Sequence, residues 1–188
     1  MEFSKLLELR RSVRDYEAKE VPTDLIEEII RDSIKAPNGR NLQAWRFIIV
    51  NSKKFIQKIT DSCLKVILAD LEKNPDSPYK MIEARVKSGD FSPFYNAPAL
   101  VLIVGSDQIR TLPIDCGILT AYFMLSAASR GLGTCFTFQG TLIEDKNIRK
   151  ELGIPEDNKI FASFIVGYPK AIPAMPERKE PEILKIIS

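Results

Sequence analysis

The chain contains no histidine. That absence removes histidine-based triads, imidazole metal ligation and imidazole acid–base catalysis together. Cysteine is scarce. Cys63, Cys116 and Cys135 are odd in number and far apart, and they form neither a disulfide framework nor a CxxC metal or redox pair. A reducing cytoplasm is the compartment such usage suits. No apolar run approaches the roughly 20 residues that a membrane-spanning helix needs. The longest, around Ala99 to Val104 and Ile160 to Val166, are strand-length. The opening MEFSKLLELRR mixes charges with apolar residues and has no signal-peptide core, so neither a targeting segment nor a membrane partner is expected. A charge excess is also lacking: the net charge of +2 gives no general reason to expect nucleic acid. No glycine fingerprint opens a helix, and no GKS or GKT phosphate loop occurs. An enzyme with these gaps draws its chemistry most naturally from a bound cofactor.

What is present reads as one domain over residues 1–188, long enough to bury a core. Phe3, Leu6 and Leu7 predict a short opening helix that runs into Arg10–Arg14. Leu25, Ile26, Ile29, Ile30 and Ile34 mark a second helix, with Thr23 as its N-cap and Pro37 beyond its end. Phe47–Asn51 reads as the first core strand and Lys53–Leu71 as a long amphipathic helix. Tyr79–Lys87 is a weaker helical piece, and Ser88–Pro98 reads as a mobile loop. Ala99–Val104 is apolar throughout, as a strand buried on both faces must be. Ile114–Arg130 is apolar around nearly its whole circumference, so it needs burial on nearly all sides. In a chain this short a second copy is the plausible cover. Gly131 and Gly133 read as helix capping. Thr134–Phe138 follows as a short strand, then a helix over Leu142–Leu152, a last strand over Lys159–Val166, and a proline-punctuated tail. Strands separated by helices predict an α/β or α+β sandwich around a mixed sheet.

Four stretches carry polar chemistry. In RRSVR, Arg10 to Arg14, three arginines around Ser12 can hold a phosphate by charge-assisted hydrogen bonds; the same residues also suit a solvated helix end. In APNGRNLQAW, Ala36 to Trp45, Asn38, Arg40, Asn41 and Gln43 surround Gly39 before the sole tryptophan. Their side chains can grip a flat heterocycle, or they can merely satisfy turn geometry. In GLGTCFTFQG, Gly140 follows a strand end, where a missing side chain permits close approach of a ligand. In the tail, Arg178 and Lys179 are either a solvated charge pair or a second phosphate grip.

Taken in order, these stretches resemble the nitroreductase family of FMN-dependent oxidoreductases, from the RRSVR segment to the tail. Asn38 stands where serine is commoner, and Ala44 where proline is. The resemblance implies an α+β three-layer sandwich, with a central, mainly antiparallel mixed sheet flanked by helices, and a C-terminal tail over 170–188 exchanged with a partner. It implies a homodimer with two FMN sites at the interface. Arg10 and Arg178, supported by Arg11 and Lys179, would bind the phosphate. Ser12 and Arg14 would face the ring system. Pro37, Asn38, Gly39, Asn41 and Gln43 would come from the partner subunit, and Thr137, Phe138, Gln139 and Gly140 would lie along the flavin. Arg14 and the Gly140 amide would take the catalytic roles. NADH or NADPH would be the co-substrate and a small electron-poor molecule the acceptor. No metal is implied.

Overall fold

Alternation along the strand Ala99–Ser106 decides the architecture. The computed structural model describes residues 2–187, so Met1 and Ser188, the ends of the expected domain and tail, lie outside the described residues. Four strands form one sheet: β1 (Arg46–Val50), β2 (Ala99–Ser106), β3 (Gly133–Phe136) and β4 (Asn158–Gly167), in the order β1-β2-β4-β3. On one face Leu100, Leu102 and Val104 pack with Ile56, Ile59 and Cys63 of α3 (Lys53–Lys73). On the other, Ala99, Val101 and Ile103 pack with Ile26 and Ile29 of α2 (Thr23–Ser33) and Leu119 and Phe123 of α5 (Leu112–Ser129). Helices therefore cover both faces, giving the three-layer α+β sandwich, and β2 needs its continuous apolar run because neither face meets water. All three strand pairings are antiparallel. Among the described residues, parallel pairing is confined to one bridge, Ser12 to Thr134.

Several sequence expectations shift in detail. The first helix, α1 (Phe3–Leu9), stops before the arginines, and Val13 N–H instead donates to the Thr134 carbonyl at 2.9 Å. Pro22, not Thr23, occupies the N-cap of α2, because the Thr23 hydroxyl accepts from Asn51 Nδ2 at 2.8 Å. The piece after Tyr79 is a 3-10 turn, Lys80–Ile82, followed by α4 (Glu83–Ser88). Residues 88–98 are no free flap: Phe91, Phe94 and Ala97 are buried and anchor them to the core. The strand β3 ends at Phe136, where Thr137 N–H turns inward to the Ser163 carbonyl. A 3-10 turn over Phe138–Leu142 replaces the start of the expected sixth helix. The helix itself, α6 (Lys146–Glu151), begins where the Asp145 carboxylate caps the Asn147 and Ile148 amides. Gly131 ends α5 with a φ of 75°, as a glycine cap should. Gly133 does not cap. It lies in β3, where an added Cβ would stand 2.7 Å from the Val13 side chain.

By length and composition α5 could cross a membrane. Here it serves as the core helix beneath the sheet, with Cys116, Leu119, Phe123 and Ala127 fully buried. Its other face carries exposed Ile114 and Tyr122, while Phe3 and Leu7 of α1 are also exposed. The expectation of a helix apolar nearly all round is met, and one side is left without cover within the chain.

Candidate functional site

The candidate residues fall into two groups, and α5 keeps them apart. The first group gathers where α5 ends. The bridge of Ser12 to Thr134 fixes RRSVR alongside β3, and Arg10 and Arg11 line a small crevice with Ala128, Gly131 and Gly133. Arg14 is exposed and Arg10 half-buried. Among the described residues no carboxylate pairs with either. Arg11 turns inward: its Nη1 donates to the Arg10 carbonyl at 2.5 Å, and its buried Nε has no partner among the described residues. Burial pushes the Cys135 thiol above its usual range, while Arg14, Ser12 and Arg10 beside it pull the other way. The arginine segment and β3 thus form one cationic rim. Tyr95 belongs to the same rim, with the Arg14 guanidinium 5.8 Å from its ring centroid. Tyr95 and Asn96 both have φ of 51°, a left-handed backbone held by the buried Phe94 and Ala97 on either side.

Beyond β3 the chain makes a hydrogen-bonded junction with β4. The Thr137 hydroxyl lies 2.9 Å from Ser163 Oγ, and Ser163 Oγ donates to the Thr137 carbonyl. Thr137 is buried, and Ser163 engages both its backbone N–H and its carbonyl. Gly140 is buried too, and an added Cβ would collide with Ser163. The close approach that Gly140 permits is therefore to the chain's own strand. Cys63, from α3, donates to the Gln139 carbonyl at 3.1 Å, and burial pushes its thiol up to about 12. The Gly140 N–H is only loosely engaged, 3.4 Å from the Thr137 carbonyl. Phe136 and Phe138 stand exposed beside this turn.

The second group, Pro37 to Gln43, sits at the other end of α5. Gly39 N–H donates to Asp115 Oδ1 at 3.0 Å, and the Asn38 side chain accepts from Gln43 N–H at 3.0 Å. Arg40, Asn41 and Gln43 have φ of 53°, 53° and 46°. From Asp115 to Ala128 a helix rises about 20 Å at 1.5 Å per residue. The loop also enters β1 at the sheet end marked by Val104 and Ile160, whereas RRSVR lies at the Thr134–Val166 end. The two groups are diagonally opposite and cannot grip one small ligand within one chain. Arg178 and Lys179 join neither group: every residue from Lys170 to Ile187 is exposed.

Sequence reasoning missed Asp115, Ser163, Cys63 and Tyr95. Only Asp115 left a signal, as the sole charge in Leu112–Ser129.

This geometry can be set beside known proteins. A crystal structure of a nitroreductase with bound FMN from Bacteroides fragilis superposes with a TM-score of 0.79 at 26% identity, covering 100% of this chain and 98% of that one. The class is thus an oxidoreductase of α+β sandwich fold. The chain belongs to the nitroreductase family, whose model matches residues 7–168. It is similar to a Methanothermobacter thermautotrophicus protein provisionally named NADH dehydrogenase/NAD(P)H nitroreductase, 27% identical over 97% of this chain and 85% of that protein. It is also similar to the iodotyrosine deiodinase of Daphnia pulex, 28% identical over 95% of this chain and 62% of that protein.

Proposed function

We propose that the protein is a homodimeric, FMN-dependent oxidoreductase that passes a hydride from NADH or NADPH to an electron-poor acceptor, such as a nitroaromatic or quinone, in two half-reactions. The observation that carries this reading is the separation of the two residue groups by α5. A two-fold axis beside the exposed Ile114 and Tyr122 of α5 brings the loop of one chain to the arginine rim of the other, completing two sites at once.

The residues present fit FMN. Arg10, which pairs with no carboxylate among the described residues, and the inward-turned Arg11, whose Nε has no partner among them, suit a phosphate. The exposed Asn41 and Gln43 side-chain amides suit the polar edge of a flat ring, and Phe136 and Phe138 offer apolar surface beside it. When bound, FMN supplies hydride acceptance and donation at N5. Arg14, braced by Tyr95, holds positive charge where the reduced ring would be anionic, which is preorganised electrostatic stabilisation. The loosely held Gly140 N–H is a donor free to turn toward the ring. The tail from Lys170, with exposed Ile183, Leu184, Ile186 and Ile187, would wrap the partner subunit and carry Arg178 and Lys179 to the phosphate.

Purified protein should be yellow, bleach with NADH or NADPH, and recover colour with a nitroaromatic. A colourless protein that takes up no added FMN refutes the reading. Its similarity to a deiodinase supports a second one, reductive dehalogenation of an aromatic ring. Halide release from a halophenol under the same conditions tests it. Colour without bleaching by either nucleotide would favour FMN storage or a specialised reaction on the same fold, such as flavin fragmentation.

A further inference from the structure

Asp115 is the one charged side chain in α5, and it is 6% exposed. Both of its oxygens are engaged: Oδ1 accepts from the Gly39 N–H at 3.0 Å and Oδ2 from the Thr111 hydroxyl at 2.9 Å. Thr111 in turn packs against Gly39 so closely that an added Cβ would lie 2.5 Å from its Oγ1 and 2.9 Å from its Cβ. The loop is thus pressed onto the first turn of the helix at a single backbone point, 76 residues away in the chain. Immediately after that point the backbone is strained. Arg40, Asn41 and Gln43 all hold left-handed backbone, at φ of 53°, 53° and 46°. Such conformations persist in non-glycine residues only where the surroundings over-determine them. Here the loop is held by the Asp115 carboxylate, the Asn38 side chain accepting from Gln43 N–H, the turn bonds from Asn41 N–H to the Asn38 carbonyl and from Leu42 N–H to the Gly39 carbonyl, and buried Trp45. The charge-assisted hydrogen bond that the buried carboxylate accepts from Gly39 N–H is the strongest of them.

We propose that Asp115 is a positioning residue for the flavin site completed by the other subunit. From the first turn of α5 it sets the backbone of residues 38–43, and so presents the loop's amides in the geometry that binds the ring. The inference rests on the FMN-binding dimer proposed above. It also explains how one helix serves two purposes. The exposed flank of α5 meets the second chain, while its buried Asp115 aims the loop that this chain contributes, so assembly and cofactor grip are set by the same rigid rod.

The test titrates apoprotein with FMN by quenching of flavin fluorescence and follows the dimer by sedimentation. Asp115→Ala removes both acceptors. It should weaken FMN binding about tenfold or more while the dimer persists, as expected for losing a charge-assisted bond that preorganises a site. Asp115→Asn keeps an oxygen for the Gly39 N–H and should bind within about threefold of wild type. A mixed dimer with Asp115→Ala in one subunit and Arg10→Ala in the other should keep one site of wild-type affinity, because each site draws its arginines and its loop from different chains. Wild-type affinity in the Asp115→Ala homodimer overturns the proposal, and so does a mixed dimer with no wild-type site. Should Asp115→Ala fail to fold, Asp115→Ser remains polar but is too short to reach Gly39, and the same expectation falls on it. If wild-type protein itself takes up no FMN, the flavin reading fails, and that failure is distinct from a wild type that binds beside a variant that binds equally well.

Discussion

The contact between Gly140 and Ser163 makes a demanding prediction. Gly140 needs no unusual φ, so its replacement by alanine is purely a matter of space. The new Cβ would lie under 3.0 Å from both Oγ and Cβ of Ser163, and 3.5 Å from Leu102 Cδ2, which is ordinary contact. Ser163 cannot yield. It is fully buried in β4, pairs with Leu102 of β2, and its carbonyl holds Thr137 N–H at 2.9 Å. The turn over Phe138–Leu142 must move instead. Overpacking of this kind costs about 1–3 kcal/mol, and since the turn is the softer partner, about 2 kcal/mol should appear largely as misplacement of the 138–140 backbone. FMN affinity should then fall by roughly tenfold to thirtyfold, with a smaller loss in urea stability. Ser163→Ala in the same background removes only the Oγ clash and leaves the Cβ in place, so it should not rescue. Ser163→Gly makes room and should recover most of the affinity, a coupling visible in a double-mutant cycle. Fluorescence titration and urea melts of wild type, Gly140→Ala, the two Ser163 single variants and the two doubles are the assay. Tight FMN binding by Gly140→Ala, or equal rescue by alanine and glycine at 163, would refute the steric argument.

Other contacts can be tested in the same way. Arg10→Ala should weaken FMN binding about tenfold or more by removing a charge-assisted phosphate contact, whereas Arg14→Ala should retain the flavin and slow its reduction; stopped-flow rates equal to wild type would remove Arg14 from its proposed role. Hydrogen bonds from Lys35 and Ser126, with Arg130 beside it, hold the Asp32 carboxyl down at about 2 and link α2 to α5. Because this pKa is depressed, its stabilisation is complete above the ordinary 3.8 and is lost as pH falls through about 2. Asp32→Asn should therefore lower stability by about 0.5–1 kcal/mol near neutrality, the range of a solvent-screened pair, with the gap in urea midpoint closing by pH 2. Burial pushes the Cys63 and Cys116 thiols up to about 12, so neither should react with a disulfide reagent in native protein at pH 8, and both should react in guanidinium.

Much of this was legible in the chain because it rests on local pattern. The apolar run at Ala99–Val104 announced a strand covered on both faces, and β2 is that strand. The apolar circumference of α5 announced a helix with one side uncovered, and exposed Ile114 and Tyr122 are that side. The four polar stretches, in order, pointed to the family. Where the reading slipped, a distant partner had overridden a local rule. The Thr23 hydroxyl accepts from Asn51 and leaves the N-cap to Pro22, Gly133 proved to be a packing glycine because Val13 lies over it, and 88–98 became an anchored segment once Phe91 and Phe94 found the core.

By itself, then, the sequence determined most of the element types, the double-sided sheet, the absence of histidine chemistry and which arginines are candidates for holding a phosphate. Those come from periodicity and composition, which short windows contain. Only the tertiary structure decided that RRSVR and the Asn38–Gln43 loop sit at opposite ends of α5, that Asp115 holds the loop, and that Ser163 sets the space at Gly140. Such pairings depend on where the chain returns after many tens of residues. No window of sequence encodes that distance, and packing of the helices on the sheet does.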